Sequence, residues 1–419
     1  MQAKHKSLLH ASIEIVVSRA AVAVVSLLFL AYFARELPKP VLGLIGVHAA
    51  IVMLAKVLLD FGLHFQVIRE ATPLVDQGLS EEAVEKIIGP ATLIRLYATV
   101  GFVALLLVLG YLFLDELQAA APEINVKLAL PFVFTHVLLK NFQYILTPIF
   151  FARQQYWLDS LLDSGSATSE KLCAFLLYLA LGVDYLFAGL MIGVLITFLL
   201  ACWSLRSILM RISLHDLSVA GAIKRLRACF PDYQRVLYRR GFRQLDRVVI
   251  AVMLPLAQMA GYHIARQGAQ VLSQLARILA GPLSVRLAAG LDAESYRRDR
   301  RLYYSIMLVL PLLTACLSPW LVRLIGGDAY ADAWPIMAIL AVAFIFNGLA
   351  EYHLSVIVVK GGADAPLIWE RMAGIVGLAT TVIMIYWIGQ TGAPLGQLVN
   401  FVLLYLFGRS VVRRILAAQ

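Results

Sequence analysis

The sequence predicts an all-α integral membrane protein of about twelve transmembrane helices, whose charged faces look onto an internal cavity. Three observations carry this. The chain is 61% hydrophobic and only 15% charged over 419 residues, whereas soluble chains are nearer half apolar and a quarter charged. Apolar runs of roughly 20 residues recur along the whole length. Finally, charged residues within those runs collect on one face of the helix each run would form. Lipid does not tolerate such a face, so it must look onto water, a partner charge or a ligand.

The runs are Leu9–Phe33, Val41–Leu63, Ile87–Leu114, Leu128–Phe151, Tyr156–Gly182, Tyr185–Leu205, Arg235–Leu256, Met259–Ser284, Tyr303–Ile325, Trp334–Val359, Leu367–Ile388 and Pro394–Val412. The first is longer than the apolar region of a cleavable signal and ends at Arg35-Glu36 with no small-residue cleavage site, so it reads as a retained helix. With both termini cytoplasmic, the inner loops hold Arg206, Arg211, Lys224, Arg225, Arg227, Arg297, Arg298, Arg300, Arg301, Arg413 and Arg414. The outer loops are short and mostly neutral or acidic, with Asp115, Glu116, Glu123, Asp328 and Asp332. The net charge of +10 then follows from the positive-inside rule and needs no nucleic-acid partner. The four cysteines have neither metal-ligand spacing nor a disulfide framework.

The domain reading is an N-terminal lobe over residues 1–205, a linker over 206–234 and a C-terminal lobe over 235–419. The linker mixes Ile208, Leu209, Leu214 and Ile223 with basic residues. It reads equally as an amphipathic helix on the inner surface or as an ordinary basic connector.

The seventh run is the strongest functional signal. At 100° per residue Arg235, Arg239, Arg243 and Asp246 share one quarter of a helix, with Arg247 beside them. Arg235 also fits a residue snorkelling toward the headgroups, whereas Arg243 and Arg247 lie deeper. Comparable stripes are His136, Lys140, Gln143 and Thr147 on the fourth run, and Asp159, Asp163, Ser166 and Glu170 on the fifth. The eighth carries Arg266, Gln270, Ser273 and Arg277, the second Lys56 and Asp60, the first Ser12 and Arg19, and the tenth Asn347 and Glu351. One stripe alone would be interhelical glue. Stripes on this many helices imply a hydrated cationic cavity suited to a phosphate-bearing or otherwise anionic substrate.

No GxxxxGK[ST], HExxH, CxxC or GxSxG pattern is present, so the chain reads as a transporter without a cofactor, and not as an enzyme. Transport would then be driven by the substrate's own gradient or by H+ or Na+. Asp60, Asp163, Glu170, Asp246 and Glu351 are the residues for coupling or for balancing charge. Asp246 reads first as the counter-charge of its arginine neighbours, and Asp60 as that of Lys56.

Three segments resemble the Wzx-type polysaccharide flippases of the MOP superfamily, which also holds the MATE exporters and lipid II flippases. They are LLFLAYFARELPKPVLGLIGV followed by LLDFGLHFQVIRE, then FRQLDRVVIAVMLPLAQMAGYHIARQGAQV, and LSPWLVRLIGGDAYADAWPIMAILAVAFIFNGL. The second, with Asp246-Arg247 entering the seventh helix and Gly261-Tyr262 opening the eighth, is the most specific. The resemblance implies two six-helix bundles around a central cavity and alternating access across the bacterial inner membrane. It implies an undecaprenyl-pyrophosphate-linked oligosaccharide as cargo, with membrane lipids, a polysaccharide polymerase and a chain-length regulator as further partners. The cationic residues facing that cargo would be Arg19, Lys56, Lys140, Arg239, Arg243 and Arg247, with Arg266 and Arg277 added from the stripe on the eighth helix. A cation-coupled multidrug or small-solute antiporter of the same superfamily is the alternative.

Overall fold

The computed structural model describes residues 8–213, 218–270, 293–360 and 365–417, and every regular element among them is helical. In chain order these are α1 (Leu8–Glu36), α2 (Lys39–Leu58), α3 (Leu63–Asp76), α4 (Ser80–Ala83), a π turn (Val84–Ile88), α5 (Gly89–Leu112), α6 (Leu114–Ala120), α7 (Val126–Ala152) and α8 (Tyr156–Leu181). There follow α9 (Leu186–Ser204), α10 (Arg206–Leu209), α11 (Val219–Val236), a second π turn (Leu237–Gly241), α12 (Phe242–Met253) and α13 (256–270). The last four are α14 (Ala293–Gly326), α15 (Trp334–Lys360), α16 (Ala365–Ile388) and α17 (Ala393–Ala417).

Among the described residues six helical stretches are long and apolar enough to cross a membrane: Lys39–Leu58, Glu81–Leu112, Val183–Ser204, Arg301–Gly326, Asp328–Leu354 and Ile368–Arg414. Helices α7 and α8 are as long, but His136, Lys140, Asn141 and Gln143 interrupt one, and Asp159, Asp163, Glu170 and Lys171 the other. The chain is an all-α, multi-pass membrane protein.

Three expected boundaries move for local reasons. The second run does not continue to Leu63, because Phe61 and Gly62 adopt left-handed backbone angles (φ 51° and 76°) and turn the chain into α3. Gly62 could not carry a side chain there, since a Cβ would lie 2.5 Å from the Cys229 carbonyl oxygen on α11. Helix α3, which the hydropathy pattern leaves unmarked, buries Leu63, Val67 and Ala71 at i, i+4, i+8 on one core-facing stripe. The seventh run is the third case. It is α11, a π turn and α12 in sequence, and the wider π turn rotates the register between Arg235 and Asp246. On α11, Arg235 pairs with Asp232 at 3.5 Å.

The contacts divide the chain into two compact units. One comprises Met1–Val17, Leu30–Val47 and Phe242–Gln419, the other Ser18–Phe29 and His48–Gly241. In the first, α15 and α16 both pack on α17, α14 packs on α15, and α12 lies against α16 and α17. In the second, α7 touches α3, α5, α8 and α9, and α8 runs along α9.

The α8–α9 seam is set by Gly189 and Gly193, spaced G-x-x-x-G. A Cβ on Gly189 would collide with the Cys173–Ala174 backbone, and one on Gly193 with the Ser169–Glu170 backbone. Small residues at this spacing let two helix backbones approach closely. Gly193→Leu is expected to destabilise the protein by more than the roughly 1–3 kcal/mol of ordinary overpacking, because backbone rather than a flexible side chain blocks the space. Thermal unfolding of the purified protein checks this, and a wild-type melting temperature would show that the seam is not close.

Candidate functional site

In the first unit, α12 presents Asp246 and Arg247, both buried (2% and 4% exposed). Asp246 takes donors from two other helices. The Tyr262 hydroxyl and the Arg266 guanidinium, one turn apart on α13, both donate to its Oδ2, and Gln397 Nε2 on α17 donates at 2.5 Å. Arg266 Nη1 also donates to the Tyr262 hydroxyl at 3.1 Å. Tyr262 and Arg266 of the eighth run thus hold the carboxylate, and Arg266 is its ion-pair partner from a neighbouring helix. Arg247 differs from Arg266. Its guanidinium feels the like charge of Arg266 as well as the opposite charge of Asp246, and its buried Nε has no hydrogen-bond partner among the described residues. Among the described residues, two cations and one carboxylate leave this constellation with a surplus positive charge.

In the second unit, the stripes of α7 and α8 meet. Glu170 Oε1 accepts from Lys140 Nζ and from Ser166 Oγ, both at 2.6 Å, while His136 Nε2 lies 3.2 Å from Glu170 Oε2. Lys140 Nζ also donates to Ser166 Oγ at 2.7 Å, and Ser166 Oγ lies 3.0 Å from Gln143 Oε1. His48 on α2 extends the chain, with Nε2 2.9 Å from His136 Nδ1.

About one turn further along α7, Tyr144 is flanked by two cations. Lys56 Nζ sits 4.0 Å and Arg95 Cζ 5.0 Å from its ring centroid. Arg95 reaches Asp60 at 3.6 Å, and both are almost fully buried. Here again two cations face one carboxylate. Arg95 was not expected from the sequence: it lies alone in the apolar third run, with no stripe to mark it.

Of the remaining expected residues, Asp163 is exposed and Glu351 half-buried one turn from buried Asn347. Arg239 falls in the π turn, Arg243 at the start of α12 and Arg19 on α1; their side chains, and all of Arg277, lie outside the described residues. His48 is an addition that only the folded packing makes visible, and Tyr262, marked in the sequence by the Gly261-Tyr262 motif, is brought onto Asp246.

A family model for polysaccharide biosynthesis proteins matches residues 8–286. The chain belongs to this family. Its members are transporters of the Wzx type, as the resemblance in the sequence implied. No curated protein matches the chain in sequence. Solved structures show the fold of this family member to be that of the MOP superfamily. An inward-facing multidrug-resistance MATE transporter aligns with TM-score 0.73 at 13% identity, covering 96% of this chain and 99% of its own. The lipid II flippase MurJ, in an inward closed conformation, aligns with TM-score 0.72 at 12% identity, covering 96% and 87%. A MOP transporter from Pyrococcus furiosus, described as having a binding pocket of reverse polarity, aligns with TM-score 0.63 at 14% identity over 96% and 95%.

Proposed function

We propose that this member of the polysaccharide biosynthesis family flips an undecaprenyl-pyrophosphate-linked oligosaccharide repeat unit from the cytoplasmic to the periplasmic leaflet of the bacterial inner membrane. It would do so by alternating access, with both termini cytoplasmic, and would feed surface polysaccharide assembly. The observation that supports this reading is the surplus of buried cation. Among the described residues Arg247 is 4% exposed and lacks a partner for Nε, in a cluster whose one carboxylate there already holds Arg266. A guanidinium left this way is matched by a diphosphate, whose oxygens accept paired N–H donors and supply the missing negative charge.

The antiporter reading fits these residues less well. Cationic drugs need carboxylates with charge to spare, and the buried carboxylates Asp60, Glu170 and Asp246 each have a basic side chain within ion-pair distance. Membrane lipids, and downstream a polymerase and chain-length regulator, are the partners of this reading. Purified full-length protein in liposomes should move a fluorescent lipid-linked oligosaccharide between leaflets. Transport of cationic dyes alone would overturn the proposal in favour of the antiporter.

A further inference from the structure

The cluster on α2, α7 and α8 contains two imidazoles that a simple ion pair does not need. We propose that Lys140 and Glu170 form a proton-gated anion site, charged through the His48–His136 pair; this rests on the anionic-cargo reading above.

The donors and acceptors form a continuous chain. With Glu170 ionised, His136 donates from Nε2 to Oε2, and its Nδ1 accepts from His48 Nε2. His48 Nδ1 is then a bare, buried acceptor with no partner among the described residues. His48 is 4% exposed and makes a T-shaped contact with the Phe187 ring, at a centroid distance of 5.5 Å. Suppose a proton arrives at His48 Nδ1. The Nε2 proton of His48 moves to His136 Nδ1, and the Nε2 proton of His136 moves to Glu170 Oε2. One proton enters and one reaches the carboxylate. Both rings end neutral, and every hydrogen bond is kept with its direction reversed.

The consequence falls on Lys140. Its ammonium is neutralised by Glu170 Oε1 at 2.6 Å until the carboxyl takes the proton. It then becomes a surplus cation, and its side chain, 23% exposed, is the most accessible of the ion pair. Ser166 accommodates either state, because its hydroxyl can donate to Glu170 Oε1 at 2.6 Å or turn to Gln143 Oε1 at 3.0 Å. The other charged neighbours are few. Lys171 on α8 donates to the Ala167 carbonyl at 2.9 Å, Arg19 lies on the α1 segment of the same unit, and Lys56, Asp60 and Arg95 surround Tyr144 further along α7. Helix α9 contributes Gly193 and Thr197, neither of which titrates. Because linkage is reciprocal, an anion settling on Lys140 draws a proton onto Glu170, just as the proton favours the anion.

The test is calorimetric titration of the full-length protein with inorganic pyrophosphate at one pH, in two buffers of different ionisation enthalpy. Wild type should take up about one more proton per pyrophosphate bound than Glu170→Gln, since linkage counts protons directly. Glu170→Gln should also bind pyrophosphate more tightly, because Lys140 is left uncompensated. Comparison at one pH cancels the titration of pyrophosphate itself. If Glu170→Gln does not fold, Lys140→Met removes the same proton difference. His48→Asn should slow proton uptake after a pH jump at unchanged stoichiometry, and an unchanged rate would exclude the imidazole route. Equal proton uptake in wild type and Glu170→Gln, with both binding, overturns the gate and leaves the anionic cargo standing. No binding of pyrophosphate by wild type overturns the cargo reading and the gate with it.

Discussion

Arg247→Met abolishes export of surface polysaccharide while the protein stays in the membrane with a melting temperature at or above that of wild type. The two halves of this expectation have one cause. A buried arginine costs about 2.5–3.5 kcal/mol on permissive membrane-insertion scales. Arg247 recovers only part of that cost from the fold: Asp246 attracts it, but Arg266 repels it, and its Nε has no hydrogen-bond partner among the described residues. Methionine keeps much of the volume and removes the charge, so the folded state loses only the attraction of a carboxylate that Arg266 already holds. The cargo loses a charge-assisted contact worth about 1.5–3 kcal/mol, or roughly tenfold to a hundredfold in flux. Arg239→Ala with Arg243→Ala is expected to lose export in the same way. Immunoblotting of membranes, thermal unfolding and surface polysaccharide staining separate the outcomes. Normal export by Arg247→Met would sink the pyrophosphate clamp, and a marked loss of stability would show that the arginine is structural.

How much of this was legible in the sequence depends on the range over which each signal acts. Hydropathy and one-sided polarity are local, and they locate α7, α8 and the Asp246-Arg247 pair directly. Even the meeting of Lys140 with Glu170 follows once two polar stripes must turn away from lipid. The chain's turn at Phe61-Gly62 and the π turn at Leu237–Gly241 are less visible. Each depends on what packs against it, and a π turn leaves no mark in an apolar count. Gly189 and Gly193 carried a readable spacing that hydropathy passes over, since glycine is nearly neutral on such scales. Arg95 stands alone on α5 and His48 belongs to no polar stripe, so only the folded packing assigns them to Asp60 and His136. Arg266 reaches Asp246 from a neighbouring helix, a pairing that the spacing along one helix does not reveal.

That geometry makes Arg266 the opposite of Arg247, although the two guanidinium groups belong to one cluster. Arg266→Met is expected to cost about 3–5 kcal/mol, the usual result of leaving a buried charge without its partner. Tyr262 and Gln397 would still donate to Asp246 Oδ2, but neutral donors do not replace a charge. Combining Arg266→Met with Asp246→Asn removes both charges together and should restore most of the loss. The double-mutant cycle would then show a coupling of about 3 kcal/mol, at the upper end for residues in direct contact. Additive losses in thermal or denaturant unfolding would refute the pairing. Arg247 supplies the remaining distinction. If it swings to Asp246 when Arg266 is gone, Arg266→Met will be milder in stability yet still inactive, because the cargo's cation has been taken by the fold. Arg247→Met with Arg266→Met then leaves Asp246 without any cation from this pair, and should be less stable than either single variant even though Arg247→Met alone costs nothing.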